Sequence, residues 1–229
     1  MNFSSFFLSQ NYQKVAALGN RLGEIEKIID WERFRPIIAD MYRDDLIEGG
    51  RPHTDEILLI KLLVLQQWHG LSDYELEIQA LDRASFQHFL GYPDSIPDRS
   101  TIWRFRERLI KNKKEDALWE ELQRQIVERG LTIKRGMIQD ATFILADPGH
   151  AKMDKPRGNE AKTRRSKDGT WAKKGQKSHY GFKLHTIVDV ETQIIRRLAT
   201  STASLHDSQV DLSEEGETVY RDRGYFGAP

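Results

Sequence analysis

The spacing of hydrophobic positions changes once along the chain, near residue 130. Before that point apolar residues recur every three or four positions, as in helices that bury one face. After it they alternate, as in strands with one buried side. In the first part, Thr54 precedes Asp55, Glu56 and the run ILLIKLLVL at residues 57–65. A cap, two acids in the first turn and near-continuous apolar character predict a central buried helix ending near Gly70. The next start is LSDYEL, where Ser72 as cap, Glu75 three residues on, and Leu71 with Leu76 make a capping box and a hydrophobic staple. After the link GYPDSIPD, Ser100 is the expected cap of a helix in RSTIWRFRERLIK. Its Ile102, Phe105 and Leu109 share one face, and Arg104, Arg108 and Lys111 share another. A last helix is expected from Lys114 to Arg129, closed by Gly130.

In the second part, GMIQDATFI puts Met137, Gln139, Ala141 and Phe143 on one side of a strand and Ile138, Asp140, Thr142 and Ile144 on the other. HYGFKLHTIVDV, IIRRLATST and ETVYRD predict three more strands. The turn at Asp189–Gln193 should join HYGFKLHTIVDV and IIRRLATST as a hairpin. Helices followed by strands predict two domains, residues 1–130 and 131–229. Between the first two strands, AKMDKPRGNEAKTRRSKDGTWAKKGQKS is too polar to pack and predicts a long functional or unstructured loop.

Charge sharpens this picture through its location. The 229 residues hold 35 Lys and Arg against 35 Asp and Glu, a net charge of zero. From Ala151 to Lys183, however, there are 11 basic residues and 3 acidic ones. Nucleic acid contact is therefore confined to particular surfaces. The absence of cysteine removes disulfides, thiol catalysis and thiolate zinc sites, and fits a cytoplasmic protein. The longest apolar run is interrupted by Lys61 and too short to span a bilayer, and the N-terminus lacks a secretory pattern.

Asp140 lies in mid-strand and Asp222 ends another, just before Gly224. A carboxylate among apolar residues is costly unless paired, hydrogen-bonded or on a metal. If the two strands are neighbours, two hard oxygen donors meet at one sheet edge, which suits Mg²⁺ or Mn²⁺ and phosphodiester chemistry. Lys173, Lys174, Lys177 and Lys183 suit DNA phosphates, with Trp171 beside them as a stacking or wedging side chain. The basic face of Arg104, Arg108 and Lys111 suits the same partner. Zinc on His150, His179, His185 and His206 is an alternative, but their spacings match no compact zinc motif. Glu214, Glu215 and Glu217 read as a solvated loop.

MIQDATFI, KKGQKSHYGFKLHTIVD, SLHDSQ and VYRDRGYFG follow one another in an order that resembles the DDE transposases of the insertion-sequence-five family. GLSDYELEIQALDRASFQHFLGY and IPDRSTIWRFRERL resemble the helical domain preceding the catalytic domain there. The resemblance implies an all-α N-terminal domain that binds DNA, followed by a ribonuclease-H-like α/β domain. It matches Asp140 and Asp222 to the first two catalytic, metal-binding aspartates. Double-stranded DNA, Mg²⁺ or Mn²⁺, and a homo-oligomeric working form come with it. The family's third carboxylate is a glutamate well downstream, and this chain ends seven residues after Asp222, so the expectation is an incomplete catalytic domain. His206 and Asp207 fall in the SLHDSQ stretch, which suggests a supporting polar role. Two other classes stay open: a DNA-binding fragment without catalysis, and a nuclease working with two carboxylates.

Overall fold

Several helices begin where short polar side chains take up loose backbone N–H groups, from Asn20, Asp55, Ser72 and Asp98. The computed structural model describes residues 3–42, 53–133, 135–149, 166 and 168–225. Its eight helices are α1 (Phe3–Ala16), α2 (Arg21–Ile28), α3 (Arg35–Ile38), α4 (Glu56–His69), α5 (Asp73–Asp82), α6 (Ala84–Phe89), α7 (Arg99–Lys111) and α8 (Glu115–Glu128). Two caps differ from the sequence reading. Asp55 rather than Thr54 starts α4, accepting from Leu58 N at 2.9 Å. Asp98 rather than Ser100 starts α7, accepting from Thr101 N at 2.7 Å. In both cases a carboxylate one or two positions away from the expected residue holds the cap, where its charge also meets the positive end of the helix dipole. Ser72 caps α5 as expected, accepting from Glu75 N at 3.2 Å. The carboxylate of Glu75 accepts from Gln79, one turn on.

The chain divides into two compact units, Met1–Gly130 and Leu131–Pro229. In the first, α4 is the central helix. Its Leu59, Leu62 and Leu65 pack in one cluster with Leu76, Phe86, Phe89 and the Ile102, Phe105 and Leu109 stripe of α7. Lys61, which breaks the apolar run, is also buried; its ammonium donates to Glu26 at 2.7 Å and lies over the rings of Trp31 and Phe89. Gly70 ends α4 at φ 61°, a left-handed turn that glycine adopts without strain. No helix among the described residues is long and apolar enough to cross a membrane.

The second unit is one sheet of β1 (Met137–Leu145), β2 (Thr170–Lys174), β3 (Lys177–Asp189), β4 (Ile195–Thr202) and β5 (Val219–Arg221). β3 is long enough to pair with both β2 and β4 along one edge and with β1 along the other. β1 then pairs in parallel with β5, and its other pairing is antiparallel. Helices followed by a mixed sheet in this order form the ribonuclease-H-like arrangement. The β3–β4 hairpin turns at the expected place, with Gln193 at φ 57°.

β2 was not anticipated. Residues 168–178 lie in the stretch read as a long polar loop, yet they form a strand, a two-residue turn at Gly175–Gln176 and the start of β3. Gly175, at φ 61°, occupies the first turn position, where a tight hairpin favours glycine. Backbone pairing to a long neighbouring strand overrides the polar composition of this segment. The remainder of that stretch, residues 151–165 with 167, lies outside the described residues.

Candidate active site

The two aspartates are placed by the parallel pairing of β1 with β5. Met137 pairs with Val219, Ile138 with Tyr220 and Gln139 with Arg221. One residue beyond the last pair come Asp140, still within β1, and Asp222, which directly follows the end of β5. By the alternation of strand side chains Asp140 is on the same side as Ile138, which pairs with Tyr220. That side is open: Asp140, Asp222, Ile138 and Tyr220 are all exposed. Asp140 is therefore not the buried carboxylate that its apolar neighbours suggested. Water meets it directly, and its Oδ1 accepts from Ala141 N at 2.7 Å. The buried polar residue of β1 is its neighbour Gln139, which donates to Val210 O at 2.6 Å and accepts from Leu212 N at 3.3 Å.

The opposite side of the sheet is closed by residues 203–217. Lys183, expected to touch DNA, lies there. It is buried, and its ammonium donates to Leu205 O and to Asp207 Oδ1, each at 2.7 Å. That corrects the sequence reading: odd positions of β3 face the closed side, and Lys183 holds the crossing chain instead of meeting solvent. Asp207 thereby acquires a defined partner, which the SLHDSQ stretch alone did not name. Glu214 and Glu217 are likewise not simply solvated, because both pair with Arg197 of β4. Arg197 belongs to the closed side, so neither glutamate joins Asp140.

Tyr225 reports the charge around the site. It is buried in the turn after Asp222, where its backbone N–H donates to Asp222 O at 3.2 Å. Burial, and then the negative charges of Asp207, Asp140 and Asp222, push its hydroxyl up to about 12. Sequence reading missed Tyr225, although it stands within the VYRDRGYFG motif.

The histidines do not converge. His179 stacks on Phe143 with ring centroids 4.5 Å apart, His185 is fully buried with Nε2 2.7 Å from Ser201 Oγ, and His206 Nδ1 lies 2.8 Å from Ser208 Oγ. His150 is outside the described residues. Among the described residues no three His, Asp or Glu side chains are grouped closely enough to hold a metal ion.

The basic residues fall into separate places. Trp171 and Lys173 are exposed on β2, and Lys174 and Lys177 are exposed across the hairpin turn. In the helical unit Arg104, Arg108 and Lys111 are exposed on α7, with the Arg108 guanidinium 4.5 Å above the Tyr42 ring.

The fold is a helical unit followed by a ribonuclease-H-like sheet unit. Residues 132–229 match the family described as Transposase DDE domain, and residues 10–108 match Transposase domain (DUF772). Each of the two units thus matches a transposase family model, the helical one over most of its length and the sheet unit over nearly all of it. No solved structure matches the chain.

Proposed function

We propose that the chain acts on the DNA of an insertion sequence of the insertion-sequence-five type, with Asp140 and Asp222 as the catalytic pair. The observation that supports this reading is the β1–β5 register, whose last pair, Gln139 with Arg221, immediately precedes Asp140 and Asp222. They would hold Mg²⁺ or Mn²⁺, which supplies activation of a nucleophile and charge neutralisation at a phosphodiester. The carboxylates place negative oxygens at one point, and the sheet fixes their spacing. Duplex DNA is the substrate, and basic residues outside the carboxylate pair meet its phosphates, Arg104, Arg108 and Lys111 of α7 among them. Residues 1–130 form the DNA-binding domain and residues 131–229 the catalytic one. The working form is a homo-oligomer, because two element ends have to be held together.

The test is cleavage of DNA carrying the element's ends, with Mg²⁺ or Mn²⁺. Asp140→Asn and Asp222→Asn should each lower cleavage at least about a hundredfold while leaving the DNA shift intact. Cleavage by Asp140→Asn at the wild-type rate would remove the site assignment. A wild-type chain that shifts DNA but never cuts it would leave binding as its role.

A further inference from the structure

We propose that the β2–β3 hairpin forms a duplex-DNA contact through one side only, the side of Asp140 and Asp222, and that Trp171 and Lys173 make it. The inference rests on the reading of Asp140 and Asp222 as the catalytic pair, and it selects among the hairpin's basic residues.

Residues paired across a sheet share a side. Asp140 pairs with Thr186 of β3, so Thr186 is on the aspartate side together with every second residue back along β3: Leu184, Phe182, Tyr180 and Ser178. Tyr180 pairs with Trp171 and Ser178 pairs with Lys173. Trp171 and Lys173 therefore share the side of the aspartates. Lys174 pairs with Lys177, and both fall on the side where Lys183 and His185 face the chain of residues 203–217. The four hairpin residues first grouped as one basic cluster divide into two opposed pairs.

Exposure and charge agree with this division. Trp171 is 53% exposed and rests at a tilt on Tyr180, with ring centroids 5.1 Å apart, so one edge of the indole is packed and the rest is presented. Among the described strand residues on the aspartate side, Lys173 is the one cation. The positions between it and the aspartates are uncharged. A phosphate backbone lying across that side finds its counter-charge at the hairpin. From Thr186 to Tyr180 is six residues, about 20 Å at the rise of a strand. That is about six base pairs of duplex. One duplex can thus reach the aspartates and the hairpin together, with Lys173 neutralising a phosphate and the Trp171 N–H available as a donor to the backbone. Contacts of this kind position the duplex without reading its sequence.

Gel shifts with the full chain and a duplex of arbitrary sequence, long enough to span both positions, test the division. Lys173→Ala should weaken binding severalfold and reduce the slope of log affinity against log salt by about one. Trp171→Ala should weaken binding with little change in that slope. The paired variant Lys174→Ala with Lys177→Ala removes twice the charge and should leave affinity and slope near wild type. Circular dichroism shows whether each variant keeps its fold. The proposal is overturned if the Lys174/Lys177 pair weakens binding as much as Lys173→Ala, or if a folded Lys173→Ala binds like wild type. These results concern the hairpin alone. Failure of the wild-type chain to bind any duplex would overturn the proposed function with it.

Discussion

At the scale of single residues, the buried polar groups of the sheet unit make its stability sensitive to pH and to backbone substitution. His185 is fully buried, and its Nδ1 has no partner among the described residues. Burial lowers its pKa; the charge of Asp207 opposes the shift and that of Lys183 adds to it. An imidazole with a depressed pKa in the fold takes up its proton more readily when unfolded. Stability is then complete above the ordinary histidine value and declines as pH falls below about 6.5. Thermal denaturation from about pH 7.5 to about pH 5.5, one unit on either side of the ordinary value, should show that decline, and His185→Gln should flatten it. Asp189 behaves oppositely in origin and lower in range. The Thr192 N–H and then other donors of its turn hold its carboxyl below the usual value, so its contribution is lost only as pH falls below about 4. Gly181 is the sharpest backbone requirement. It sits at φ 141°, and a Cβ there would lie 2.1 Å from Ile144 O. Gly181→Ala should destabilise the unit by about 3 kcal/mol, measurable by chemical denaturation.

At the scale of elements, the strength of a local signal decided how well it could be read. The α7 stripe of Ile102, Phe105 and Leu109 was legible because periodicity averages over three turns, and all three residues are buried. Its cap was not, since RSTI offers a serine and the preceding Asp98 competes within two positions. Asp98→Ala should cost about 1 kcal/mol, whereas Ser100→Ala should cost only a few tenths. Equal losses from the two would return the cap to Ser100. The same limit explains β2. Its five residues include two lysines and no continuous apolar alternation, so only the long partner strand β3 makes it a strand. The beginning of β5 was legible from VYR, but not its partner, because the parallel neighbour β1 lies far upstream.

At the scale of the whole molecule, equal numbers of acidic and basic residues give a surface with no net charge at pH 7. Self-repulsion vanishes there, and solubility should pass through a minimum near neutrality and rise on either side, as turbidity against pH would show. DNA affinity should still fall steeply with salt, because phosphate contact depends on where cations stand and not on their sum. Two compact units, one of helices and one of a mixed sheet, follow from the change in hydrophobic period near residue 130. By itself the sequence determined that change, the central helix α4, the strands β1, β3 and β4, and the presence of one aspartate in mid-strand and another at a strand end. Those signals are short-range, carried by residues within a few positions of one another. The tertiary structure alone decided that β1 and β5 pair in parallel with Gln139 opposite Arg221, that Asp140 is exposed while Gln139 is buried, and that Lys183 is engaged by Asp207 while Lys173 is exposed. Each of those outcomes depends on pairing between strands distant in the chain, and a shift of one residue in that pairing would reverse which side every side chain takes.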